Sequence, residues 1–296
     1  MNPLYLKNRK KLGERLKRLK NLLSPCKLCP RRCLVERLKG ERGFCGGGEK
    51  AEVSSCFPHF GEESCLVGKY GSGTIFFTHC NLKCVFCQNY EISHLGEGKE
   101  VSSQELARMM LFLQRLGCHN INFVTPTHFA PQIVEALIFA IEEGLKIPLV
   151  YNCGGYESPE VIDLLEGIID IYMPDTKFAS SEISEQFCSA SDYFENLKIV
   201  IKKMHLQVGN LVIEEGIAKR GLLIRHLVMP NDLAGTKEIM EFIAKEISLN
   251  SYINIMAQYR PCGEAYRFPE LNRALTNEEY LKARQIALSL GLKRLD

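Results

Sequence analysis

The sequence predicts an α/β protein whose main body is a partial (β/α)6 barrel, preceded by a Cys-rich N-terminal extension. Three observations predict it. From residue 72 onward, short apolar and β-branched runs alternate with helical patterns of ten or more residues, the rhythm of parallel βα units. Several helical patterns open on Ser, Thr or Pro and close at Gly, as capped helices do. Residues 24–71 lack this rhythm and are rich in Cys, Gly and charge.

Taken in order, residues 1–23 read as a basic amphipathic helix, because Leu12, Leu16, Leu19 and Leu23 recur at helical spacing among Lys and Arg. Residues 24–71 read as a small metal-binding subdomain and residues 72–296 as the barrel. Six strands are predicted: Thr74–Thr78, Asn120–Val124, Pro148–Cys153, Asp170–Asp175, Leu222–Met229 and Tyr252–Tyr259. Between them lie helical patterns over Ser102–Gly117, Pro131–Gly144, Ser158–Gly167 and Thr236–Ser248. A last helix spans Thr276–Leu290, with Thr276 and Glu279 spaced as a capping box. In such a fold, right-handed crossovers wrap helices outside the sheet and ligands sit at the C-terminal edge of the strands. Polar residues that end strands are therefore site candidates.

At 296 residues the chain can bury a substantial core unaided, so its thirteen Cys are not needed as a disulfide scaffold. The opening residues carry no apolar secretory segment, and metal binding in a reducing cytoplasm is the expected use of the thiols. No stretch approaches the roughly 18 consecutive apolar residues of a membrane helix, and 46% hydrophobic content is ordinary for a globular protein. The net charge of +2 hides an asymmetry: residues 1–50 hold 15 Lys and Arg against 4 Asp and Glu. A basic segment can attract nucleic acid or an anionic surface. A solvated basic face on a docked helix is the favoured reading.

Directly after the first predicted strand comes Cys80-Asn81-Leu82-Lys83-Cys84-Val85-Phe86-Cys87, a C-x3-C-x2-C run. Three thiolates at this spacing can hold a 4Fe-4S cluster and leave one iron open for a ligand. A zinc site completed by His79, His94 or a distant Cys is the competing reading. The position favours the cluster, because the run begins where a strand delivers its C-terminal end.

The C-x3-C-x-aromatic-C run resembles the defining motif of the radical S-adenosylmethionine (SAM) superfamily. The stretches Cys84–Ser93, Ile121–Phe129, Tyr172–Phe178, Arg225–Pro230 and Ile253–Pro261 resemble its pyruvate formate-lyase activating-enzyme-like branch, and within it the uncharacterised PflX-type proteins. The resemblance implies that SAM chelates the open iron. The reduced cluster would cleave it to methionine and a 5′-deoxyadenosyl radical, which abstracts hydrogen from a substrate such as a glycyl-radical-type partner protein. A ferredoxin or flavodoxin is implied as reductant, and Phe86 as the adenine contact. Where the family usually carries Gly-Gly-Glu after the second strand, this chain has Thr125-Pro126-Thr127-His128. Thr125 and Thr127 would then meet the cofactor's amino group with hydroxyls and carbonyls; alternatively they cap the following helix. Asn152 ends the third strand, where activating enzymes carry Asp, and suits a ribose diol. Asp175 and Lys177 share a face at the end of the fourth strand. Lys177 is assigned to the cofactor carboxylate and Asp175 to hold that Lys or a cation, with a surface ion pair as the alternative. Arg225, costly to bury without an anion, is a further cofactor candidate, and His226 on the opposite face a packing residue. Gln258, Tyr259 and Arg260 are candidates to close the site over substrate.

A second group, Cys26, Cys29, Cys33 and Cys45, follows C-x2-C-x3-C-x11-C spacing. Four thiolates suit a closed zinc site or a second 4Fe-4S cluster, and spacing does not choose between them. Cys56 and Cys65 are alternative ligands or free thiols. Cys118, Cys153, Cys188 and Cys262 read as buried packing residues, of which Cys153 alone is placed near the site. The competing function is an iron-sulfur electron carrier or zinc-dependent interaction module with both groups closed.

Overall fold

The computed structural model describes all of residues 1–296. Ten strands form one sheet: β1 Ala51–His59, β2 Ser72–Phe77, β3 Lys99–Val101, β4 Ile121–Val124, β5 Leu149–Cys153, β6 Ile171–Pro174, β7 Val212–Glu214, β8 Ile217–Leu227, β9 Tyr252–Met256 and β10 Arg294–Leu295. The order across it is β10-β9-β8-β6-β5-β4-β2-β1-β3, with β7 paired to β8 off this path. The six strands β2, β4, β5, β6, β8 and β9 run parallel, each hydrogen-bonded to the next. Since β2 and β9 do not pair, this is an unclosed, partial (β/α)6 barrel. All six predicted strands are present, most of them shorter by a residue or more at one end.

The helices also follow local rules. Ser102 caps Ser103–Arg115 in a reciprocal box with Glu105, and Thr276 does the same with Glu279 for Asn277–Ser289. The helix Ala130–Glu142 is buried along most of its length, whereas Pro159–Leu164 is shorter than its predicted span. The last predicted crossover, Thr236–Phe242, continues as a π turn over Ile243–Ile247. The N-terminal helix Leu12–Asn21 docks by its leucines: Leu12, Leu19 and Leu23 are buried, and Lys20 pairs with Glu135 at 2.6 Å.

Residues 51–59, read from sequence as part of the Cys-rich segment, form β1, antiparallel to β2. Core packing is continuous from Tyr5 in the N-terminal segment to Leu292 near the C-terminus. At Gly221 (φ +128°) β8 changes from its antiparallel pairing with β7 to its parallel pairing with β6. A Cβ there would stand 2.5 Å from the Asn210 carbonyl oxygen, so only Gly fits this crossing. No helix is long and apolar enough to cross a membrane.

Candidate functional site

The C-terminal ends of the parallel strands gather most of the predicted residues at one edge. The Cys80–Cys87 loop leaves β2 through His79 and turns again at Lys83, both at positive φ. Cys84 and Phe86 are buried, and Leu82 packs so closely on Gly154, just past β5, that a Cβ there would lie 2.7 Å from its Cδ1. Burial pushes the Cys80 thiol up to about 12 and raises Cys87 as well. A bound cation is what would hold such groups as thiolates.

Neither histidine proposed for a zinc site is directed to these thiols. His79 Nε2 lies 3.1 Å from a Glu52 carboxylate oxygen. His94 stacks on Tyr90, with ring centroids 4.2 Å apart, and its Nδ1 meets Ser93 Oγ at 2.8 Å. Ser93 Oγ in turn lies 3.1 Å from Cys87 Sγ. The thiol that does meet the loop is Cys188, whose Sγ donates to Cys84 Sγ at 3.2 Å. This corrects its reading as a packing residue: Cys188, at the end of helix Ser181–Cys188, reaches the Cys80–Cys87 loop. Cys188 thus stands as a hydrogen-bond donor to the Cys84 sulfur. No three His, Cys, Asp or Glu side chains converge on one metal ion.

Next to the loop, a charged network crosses the ends of β5, β6 and β8. Arg225 donates from Nε to Asp175 at 2.8 Å and from Nη2 to the Asn152 side-chain oxygen at 2.7 Å, and its Nη1 lies 3.6 Å from Glu62. Lys177 Nζ donates to the other Asp175 oxygen at 2.6 Å. Burial would push Asp175 up, but Arg225 and Lys177 outweigh it and hold the carboxyl below its ordinary value. Lys177 is desolvated, yet Asp175 and the Cys84 thiol raise its pKa well above the usual lysine range. Arg225 uses two of its five N–H donors on Asp175 and Asn152 and pairs with Glu62 through Nη1, while Lys177 uses one of its three N–H donors and keeps two. Tyr193 buttresses the arrangement: its hydroxyl accepts from the Lys177 backbone N–H at 3.0 Å and lies 2.9 Å from both the Gly154 and Asp175 carbonyls.

The two threonines part company. Thr125 sits at φ 58°, a strained conformation for a β-branched residue, and its N–H donates to the Asn152 carbonyl at the strand ends. Thr127 is fully buried and its hydroxyl donates to Glu157 at 2.7 Å. Neither caps the helix, which starts at Ala130 without a side-chain cap. Phe86 meets Phe178 edge-on at 5.7 Å and Tyr259 at 6.2 Å, forming an apolar wall. The Tyr259 hydroxyl is spent on the Leu271 carbonyl at 2.7 Å, and Gln258 and Arg260 are exposed. Of the three closing candidates, Tyr259 alone is packed against the site. His226 is buried between the Thr176 carbonyl and the Thr236 hydroxyl, as a packing residue would be.

Sequence reasoning missed Glu62 and Glu63. Both lie inside the barrel, where Glu63 accepts from Asn254 at 3.1 Å and its second oxygen has no partner. Burial pushes Glu62 up to about 7, against the pull of Arg225. The only signal available was a pair of adjacent acids in a segment of otherwise unassigned role.

The four N-terminal cysteines come together around a second cavity, also lined by Arg37 and His128. The Arg37 guanidinium is buried and donates to the carbonyls of Gly48 and His128. Arg31 donates to the carbonyls of Asn81 at 2.5 Å, Ser189 at 2.6 Å and Cys188 at 2.9 Å, tying this loop to the first one.

Comparison with known proteins follows the same lines. A family profile, that of the Radical SAM superfamily, matches residues 74–243, which begin in β2 and end past helix Thr236–Phe242. The uncharacterised protein MJ0674 of Methanocaldococcus jannaschii is 38% identical over 283 residues, covering 92% of this chain and 77% of that protein. A domain of pyruvate-formate lyase-activating enzyme from Bacteroides vulgatus superposes with a TM-score of 0.37 at 14% identity, over 66% of this chain and 89% of that one. With its profile matched from the first barrel strand through the fifth crossover, the chain belongs to the radical SAM superfamily.

Proposed function

We propose that the chain is a radical SAM enzyme in which Cys80, Cys84 and Cys87 hold the 4Fe-4S cluster and the ends of β4, β5, β6 and β8 hold SAM. The observation that carries this reading is the placement of three thiols, Cys84 buried and Cys80 and Cys87 half-buried, beside the Asn152, Asp175, Lys177 and Arg225 network at one strand edge. When bound, cluster and cofactor supply one-electron cleavage of the sulfonium to methionine and a 5′-deoxyadenosyl radical that takes hydrogen from substrate. The protein's residues do the rest. Lys177, with two free donors, meets the cofactor carboxylate, while Asp175 fixes its ammonium and Arg225 fixes Asp175. Asn152 and Thr125 offer neutral polar groups to the cofactor, where related enzymes use acids. Phe86, Phe178 and Tyr259 shield one side from water.

The reductant is of the ferredoxin or flavodoxin kind. The sequence resemblance to the activating-enzyme-like branch makes a glycyl-radical-type partner protein the first substrate to try. The chemistry is tested by anaerobic reconstitution with iron and sulfide, followed by dithionite and SAM. The expected product is 5′-deoxyadenosine from the native chain and none from Cys84→Ala. Equal yields from both, or no product from native protein carrying a reducible cluster, would sink the assignment.

A further inference from the structure

We propose that Cys26, Cys29, Cys33 and Cys45 hold a second 4Fe-4S cluster, closed by four thiolates, set against the wall of the first site. Three of the thiols that line the cavity, Cys26, Cys29 and Cys45, are buried, and Cys33 is half-buried. Four thiolates need compensating charge, and the buried Arg37 and the neighbouring Arg32 line the same cavity. Both metals suggested by the spacing would accept these ligands, so the choice falls to geometry.

A tetrahedral zinc with bonds of about 2.3 Å draws its four sulfurs to within about 3.8 Å of one another. No such convergence exists among these cysteines. They surround a common space without meeting at its centre, as thiols do when each binds a separate corner of an iron-sulfur cube. The Cys80, Cys84 and Cys87 loop, in a superfamily defined by its cluster, shows the same lack of single-ion convergence.

An independent observation comes from His128. It lines the cavity and is 1% exposed, and its Nε2 lies 2.8 Å from the Thr78 carbonyl. That bond makes Nε2 the protonated nitrogen and leaves Nδ1 with a lone pair. Nδ1 has no partner among the protein's groups. His128 therefore touches both sites, lining the second cavity while bound two residues before Cys80. Arg31, two residues past Cys29, bonds the Asn81 carbonyl directly after Cys80. The second cluster is thus a one-electron centre bolted to the first.

The metal content of the full chain after anaerobic reconstitution with iron and sulfide decides the matter, whether or not 5′-deoxyadenosine forms. About eight irons and no zinc per chain are expected. The variant with Cys80, Cys84 and Cys87 all changed to Ala is expected to keep about four irons and, after dithionite, an electron paramagnetic resonance signal that does not respond to SAM. The variant lacking the four N-terminal thiols should keep four irons and a signal that does respond. About four irons with one zinc in the native chain would overturn the proposal. So would four irons with the N-terminal thiols open to iodoacetamide, a result read on native protein and independent of how the variants fold.

Discussion

At the scale of single residues, Cys188 shows how a site gains a member that spacing does not announce. Its S–H donates to the Cys84 sulfur across 104 positions of sequence. Hydrogen bonds to ligand sulfur stabilise the more negative, reduced cluster. Cys188→Ala is expected to lower the midpoint potential of the SAM-responsive cluster and Cys188→Ser to restore much of it, read by redox titration. Glu157 is another buried group with a measurable consequence. Burial pushes it up to about 7 although Thr127 and Tyr151 donate to it. The folded chain therefore keeps a proton that the unfolded chain releases above about pH 4.5. Its contribution to stability is complete below that pH and is lost as pH rises through 7. Glu62 and Asp170, each pushed up to about 7, act in the same direction. His128 and His226, held by burial down to about 3 and about 4, oppose them over the same window, so the test is the difference: in Glu157→Gln the slope of unfolding free energy against pH between 4.5 and 7 should shift upward by up to one proton. An unchanged slope in denaturant titrations would contradict this.

At the scale of elements, the six barrel strands were legible because each is a short β-branched run bounded by turn residues. Two helices were legible to the residue at their starts because Ser102 with Glu105, and Thr276 with Glu279, form capping boxes. Ser102→Ala is expected to cost about 1 kcal/mol in chemical denaturation, while leaving the iron content unchanged. What stayed hidden depends on distant partners. β1 carries Pro58 and alternates poorly, and its pairing with β2 and β3 makes it a strand. Helix Tyr193–Val208 was not foreseen, and with it went Tyr193, which braces Lys177. The cluster loop, Asp175, Lys177 and Arg225 could be read because motif and strand ends coincide. Glu62 and Glu63 could not, because they enter the barrel from a loop with no periodicity of its own.

At the scale of the molecule, the N-terminal segment is structural. Its basic side chains lie largely in solvent, while its leucines cover helices Ala130–Glu142 and Pro159–Leu164. Deleting residues 1–23 removes the buried Tyr5, Leu12, Leu19 and Leu23 and uncovers the apolar surface beneath them. Each such side chain is worth about 1.5–3 kcal/mol of burial. The truncated chain is expected to melt at least 10 °C lower and to aggregate, as followed by calorimetry and light scattering. A truncation that melts with the full chain would show that the helix does not support the barrel.

The three bonds of Arg31 have a consequence for how the chain matures. Its acceptors lie 50, 157 and 158 positions later, so the first cysteine loop, made early in synthesis, has no finished seat until helix Ser181–Cys188 has left the ribosome. Thiols from the two ends of that interval stay reactive together during the wait. If both loops hold clusters as proposed, iron and sulfide must reach a nearly complete chain, and starving the cell of either should trap both loops in the same unfinished state.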